Sequence, residues 1–146
     1  MDRETFFQLW SPRVRSVLRI MAGLLLLEHG LMKLFAWPPS EMFAQPVELA
    51  SLMGVAGVLE LVGGALVAVG LLTRVSAFIL SGELAAAYFI GHAPQNFFPV
   101  LNGGEAAILY CFVFLYLAVA GGGVWSLDQA FRTGSRNFAV KAKPAD

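Results

Sequence analysis

Four apolar stretches, at about residues 14–35, 48–72, 75–92 and 103–120, dominate this chain, and past the Glu48 that opens the second, each carries one glutamate in or at the edge of its apolar span: Glu28, Glu60, Glu83 and Glu105. About 20 helical residues cross a hydrocarbon core of roughly 30 Å, so the stretches read as membrane-crossing helices. Composition agrees: 58% of the residues are hydrophobic and 14% charged, whereas an ordinary soluble domain is about a quarter charged. The expectation is an all-α fold, an integral membrane four-helix bundle, in which residues 1–146 form a single domain.

Local signals set the breaks. Trp37-Pro38-Pro39 stops the first helix, because proline cannot continue the hydrogen-bond ladder and restricts the residue before it. Gly54, Gly57, Gly64 and Ala68 recur at helical spacing in the second, a strip of small residues that lets a neighbouring backbone approach closely in lipid. Thr73-Arg74 reads as a tight turn, and Gly121-Gly122-Gly123 ends the fourth helix and opens a polar tail over 121–146. Residues 1–13 mix Phe6, Phe7, Leu9 and Trp10 with charges, as a short interfacial segment does.

Lysine and arginine set the orientation. Arg3, Arg13, Arg15, Arg74 and the tail residues Arg132, Arg136, Lys141 and Lys143 fall on one side, and the loops 36–47 and 93–102 carry none. Both termini are therefore expected in the cytoplasm, with the chain in the inner (plasma) membrane of a bacterial cell. Arg19 is expected to snorkel to the inner interface. A formal net charge of 0 gives no basic surface for nucleic acid. The single Cys111 excludes an intrachain disulfide and reads as a small apolar residue. No small-residue cleavage site follows the first apolar run, so no removable signal peptide is expected.

An unpaired charge at bilayer depth costs at least ~2.5–3.5 kcal/mol, so the four glutamates must face one another, a partner or a cavity. His29 and Lys33 stand one turn apart near the outer end of the first helix. With the termini inside, His29, Lys33, His92, Asn102 and Glu105 fall toward the outer leaflet, Glu28 just below them, and Glu60 and Glu83 nearer the middle. The pattern is a polar funnel entered from the outer face. Each member also has a plainer reading. Asn102 and Glu105 match a capping box, Glu60 suits an interhelical hydrogen bond, and Lys33 suits an anchor or an ion pair with a glutamate. Glu83 and His92, nine positions apart, lie on opposite sides of a straight helix and need not share a site. His29 and His92 could cap and hydrogen-bond, transfer protons or ligate a metal, but the spacings match no zinc or di-iron motif. Tyr88 and Tyr110 are packing residues or stacking partners for a flat ligand.

His29-Gly30-Leu31-Met32-Lys33-Leu34-Phe35, Glu60-Leu61-Val62-Gly63-Gly64, Gly70-Leu71-Leu72-Thr73-Arg74, His92 with Phe97-Phe98-Pro99, and Asn102-Gly103-Gly104-Glu105 with Tyr110 occur in order. Together they resemble the DoxX family of small bacterial four-helix membrane proteins, over about residues 14 to 128. One departure is Ala36, where the family pattern is expected to carry glycine. The resemblance implies a redox association: family members are similar to the small subunit of an archaeal thiosulfate:quinone oxidoreductase, and others are linked to membrane oxidoreductase complexes and to resistance against thiol or oxidative stress.

The reading is a redox-associated protein that interacts with quinone as a subunit of a membrane oxidoreductase, with the lipid bilayer and either partner subunits or further copies of itself around it. His29, His92 and Glu105 would supply the polar end for the quinone head, and Glu28 or Glu60 a proton route. Lys33, Asn102, Tyr88 and Tyr110 would bind the ring. The chain has no dinucleotide fingerprint, cysteine cluster or c-type haem motif, so electrons would come from a partner, or from a haem or metal held by the histidines. The alternatives are a non-catalytic scaffold or assembly subunit, and, ranked below it, a proton-coupled carrier, which four helices without a broken pair serve poorly.

Overall fold

In the computed structural model, which describes residues 2–133, all regular secondary structure is helical. The first helix starts because the Asp2 side chain accepts the Thr5 amide at 2.7 Å. Helix α1 then runs from Arg3 to Phe35 without interruption. Its 33 residues correspond to a rod of about 50 Å, so the separate interfacial segment expected over residues 1–13 is the first part of this helix.

Helix α2 (Leu52–Val69) begins four residues later than the apolar pattern, because Ser51 is its N-cap and accepts from the Gly54 amide. It ends where Gly70 takes the left-handed conformation, φ 75°, and its amide reaches back to Leu66 and Val67. The chain turns at 70–72, one step earlier than expected, and Thr73 already opens helix α3 (Thr73–Ala87). A π-helical turn, Tyr88–His92, carries α3 onward. A four-residue helix α4 (Pro99–Asn102) interrupts what the sequence presented as a plain loop, and α5 runs from Glu105 to Ala120. Residues 127–133 form a further helical stretch inside the expected tail. Arg136, Lys141 and Lys143, used above for orientation, lie outside the described residues.

The helices pack as two close pairs, α1 on α2 and α3 on α5; α2 touches α3 over a shorter length, and α1 meets α5 over a shorter one still. Leu26, Val67, Leu80, Phe114 and Leu117 fill the centre, each at most 1% exposed. The α1–α2 pair is a glycine contact. Gly23 and Gly30 lie one heptad apart, and a Cβ at Gly30 would stand 2.5 Å from the Leu61 nitrogen, one at Gly23 2.6 Å from the Ala68 nitrogen. Gly57 and Gly64 of α2 face this strip, whereas Gly54 packs on the backbone of Glu48 and Leu49.

Two helices, Leu52–Val69 and Thr73–His92, are long and apolar enough to cross a membrane, and α5 is shorter. Helix α1 is long, but it carries Arg15, Arg19, Glu28 and Lys33 within residues 14–35. Arg19 does not snorkel. It is 0% exposed and donates to four main-chain carbonyls: Gly122 at 2.9 Å, and Val67, Ala68 and Trp125 at 2.5 Å each. The last turn of α2 and the glycine loop after α5 leave carbonyls with free acceptor capacity, and one planar guanidinium donates to both sets.

Candidate functional site

At the opposite end of α1 from Arg19, Lys33 and Glu60 are both buried. The Lys33 ammonium donates to both carboxylate oxygens of Glu60, at 2.6 and 2.7 Å. The glycine contact makes this possible, because Gly30 and Gly57 bring α1 and α2 together one turn away. Of the plainer readings, the ion pair for Lys33 and the interhelical bond for Glu60 are realised in the same contact. Glu83 of α3 lies within electrostatic reach of both, and its Oε2 is buried without a hydrogen-bond partner among the described residues. A second carboxylate thus lies near the ion pair without bonding to it, and α1, α2 and α3 each contribute one member of the group. Glu83 is the member that sequence reasoning left out of the site; its depth, similar to that of Glu60, was the available signal.

The other expected residues are distributed around this centre. Glu28 and His29 sit on the exposed side of α1, and Glu28 is within electrostatic reach of the half-buried Tyr110 on α5. Helices α1 and α5 meet over only a short length, and Glu28 and Tyr110 face each other across that meeting. His92 is engaged locally: its Nδ1 donates to the Asn102 carbonyl at 2.9 Å, and its ring stacks on Tyr88 with centroids 6.5 Å apart. Asn102 is buried and ties the turn together, donating to the Asn96 carbonyl at 2.8 Å and accepting from the Gly104 amide at 2.8 Å.

That turn corrects the capping box. Asn102 ends α4 instead of opening α5, Gly104 is the residue before α5, and no side chain caps that helix. Glu105 is exposed in the first turn, where a carboxylate suits the positive end of the helix dipole. Cys111 is half-buried, and its carbonyl accepts from Ser81 Oγ at 2.9 Å.

Among the described residues no group of three or more His, Cys, Asp or Glu side chains could hold a metal ion. The chemistry within reach of these residues is proton exchange at the carboxylates, hydrogen bonding by Tyr110 and the exposed His29, and charge pairing at Lys33.

Two apolar helices of membrane-crossing length, with an ion pair and a further carboxylate among α1, α2 and α3, define a small all-helical protein with two candidate membrane spans. The chain belongs to the DoxX family, whose pattern it matches over residues 14–93. It is 40% identical over 125 residues to an uncharacterized protein of Haemophilus influenzae, covering 84% of this chain and 93% of that one. It is 28% identical over 127 residues to the Bacillus subtilis protein named "Putative oxidoreductase CatD", covering 86% of this chain and 92% of that one. No solved structure gives a significant match.

Proposed function

We propose that this protein is a redox-associated component of the bacterial inner membrane, a four-helix bundle with both termini cytoplasmic, that binds quinone as a subunit of an oxidoreductase assembly. The observation that carries the reading is the buried Lys33–Glu60 pair with the half-buried Glu83 near it, in a fold where Glu28 and Tyr110 also lie within electrostatic reach of each other. A quinone head needs hydrogen-bond partners at its carbonyls and a nearby group that exchanges protons. Glu28, His29 and Tyr110 supply the former and the carboxylates of Glu60 and Glu83 the latter, while His92, Asn102 and Tyr88 hold the outer turn in shape and Glu105 stands at its rim. The oxidoreductase name of the Bacillus subtilis relative favours redox chemistry.

The membrane reading extends to α1. Its buried cations are paired within the protein, and the residues it exposes between Val14 and Leu25, namely Val14, Val17, Leu18, Met21, Leu24 and Leu25, are all apolar. Arg15 and Arg74 reach the same end of α5 and Arg132 lies beside them, which supports one cytoplasmic side under the positive-inside rule.

The test is titration of a water-soluble quinone analogue into the full chain in mild detergent, followed by tryptophan fluorescence. Glu28→Gln and Tyr110→Phe weaken saturable binding by about threefold to tenfold, the range of a lost hydrogen bond, with unchanged thermal midpoints. Absence of saturable binding, or wild-type affinity in both variants, rejects the reading. A non-catalytic scaffold is the second reading, favoured by the direct Lys33–Glu60 bond between α1 and α2. In that case Glu60→Gln loses stability or assembly with no separate binding defect.

A further inference from the structure

At the Arg19 end of the molecule a cleft of about 550 Å³ opens between the start of α3, the glycine loop after α5 and the helical stretch at 127–133. Three guanidiniums, Arg15, Arg74 and Arg132, line it together with one carboxylate, Asp128. Asp128 is already engaged, accepting the Leu72 amide at 2.8 Å and the Thr73 amide at 2.9 Å. The cations are engaged only in part. Arg15 gives one nitrogen to the Ala120 carbonyl at 2.7 Å, and its Nε is buried without a partner among the described residues. Arg74 gives one nitrogen to the carbonyls of Ala118 and Val119 and keeps the rest of its fork at the cleft.

The helix ends at this site nearly cancel, since α3 presents its positive terminus and α5 its negative one. A surplus of two positive charges therefore remains at the cleft, three arginines less one aspartate. Beside it stand the exposed apolar side chains of Val75, Val124 and Phe131. A guanidinium fork matches the oxygens of a phosphate group, and an apolar rim at the end of membrane-length helices suits a molecule with acyl chains.

We propose that this cleft binds a phosphate-bearing anion, and that its source is the headgroup of an anionic phospholipid. The site is separate from the quinone reading and stands whether or not that reading survives. It gives the arginines a role beyond setting orientation: they clamp a lipid phosphate against the loop that Arg19 holds.

The experiment uses the full chain in detergent with added phosphatidylglycerol, phosphatidylcholine or inorganic phosphate, following the thermal midpoint and, by native mass spectrometry, retained lipid. Phosphatidylglycerol raises the midpoint saturably and is retained, and phosphatidylcholine does neither. Arg132 is exposed at the rim, so Arg132→Gln keeps the fold and weakens phosphatidylglycerol by about fivefold, the effect of one basic residue near a lipid surface; Arg132→Lys restores most of it. Equal effects of the two lipids, or wild-type affinity in folded Arg132→Gln, overturn the site. A shift with inorganic phosphate alone that matches the lipid effect supports the phosphate site and rejects the lipid as its source.

Discussion

The Lys33 ammonium and the Glu60 carboxylate meet at 2.6 Å, with side chains 11% and 4% exposed. The two residues are 27 positions apart, and their bond joins α1 to α2 at the end of the glycine contact. A buried pair of this kind is weak evidence for net stability, because desolvation offsets the attraction, but removing one partner strands the other charge.

Glu60→Gln should therefore lower stability by about 3–5 kcal/mol, and the double change Lys33→Met with Glu60→Leu should recover most of it. Thermal midpoints of the purified chain in one detergent, read as a double-mutant cycle, check this. A midpoint for Glu60→Gln equal to that of the wild type would mean that the pair holds nothing together.

Arg19 is the larger dependence at the other end. Replacing it with Met leaves four carbonyls that now accept its N–H groups without their donor. A stranded buried acceptor costs about 1–3 kcal/mol, so loss of folding, seen as aggregation in size-exclusion chromatography, is the expected outcome. Arg19→Lys should rescue little, since a single ammonium cannot span the fork. Wild-type elution of Arg19→Met would show that water serves these carbonyls equally well.

Ala36 follows α1 in the left-handed region, at φ 52°. A residue with a Cβ pays about 1–2 kcal/mol there, and glycine does not. This accounts physically for the glycine expected at this point of the family pattern. Ala36→Gly should raise stability by up to about 1 kcal/mol after the greater freedom of glycine in the unfolded chain is counted. Chemical denaturation midpoints of the two proteins decide it, and a lower midpoint for Ala36→Gly would contradict the strain.

Asp128 gives the fold an acid limit. Burial pushes its carboxyl up, but the hydrogen bonds from Thr73 and Leu72 and the nearby Arg132 outweigh burial and hold it below its ordinary value of 3.8. A lowered folded-state value stabilises the protein above the unfolded-state value, and this contribution is lost as pH falls through the lowered one. The thermal midpoint should drop as pH is taken below 3.8. Asp128→Asn should remove that part of the acid dependence and cost about 0.5–2 kcal/mol at neutral pH, as loss of a helix cap does. An unchanged acid profile in the variant would assign the acid limit to other carboxylates.

The all-helical character, the small residues Gly57, Gly64 and Ala68 on one face of α2, and the helix ends at Phe35 and Ala120 were legible along the chain, because each depends on neighbours a few residues away; that Gly23 and Gly30 of α1 complete the contact was not. The start of α3 was not, since its cap is Asp128, 55 positions beyond Thr73. The capping box at Asn102 and Glu105 failed for a related reason: the same four residues serve as the end of one short helix and the approach to the next.

What the sequence determined by itself was which residues share a helix face and how long each apolar run is. Only the tertiary structure decided which face turns inward. In a soluble helix the apolar stripe answers that question, but where lipid and core are both apolar it does not, and around α5 the pattern is nearly even. Lys33 and Arg19 therefore went inward to meet Glu60 and the carbonyls of Val67 and Gly122, while Glu28, His29 and Glu105 stayed on the surface. The deciding term was the cost of leaving a cation or a carbonyl without a partner away from water, and partners that distant in sequence exist only once the helices have packed.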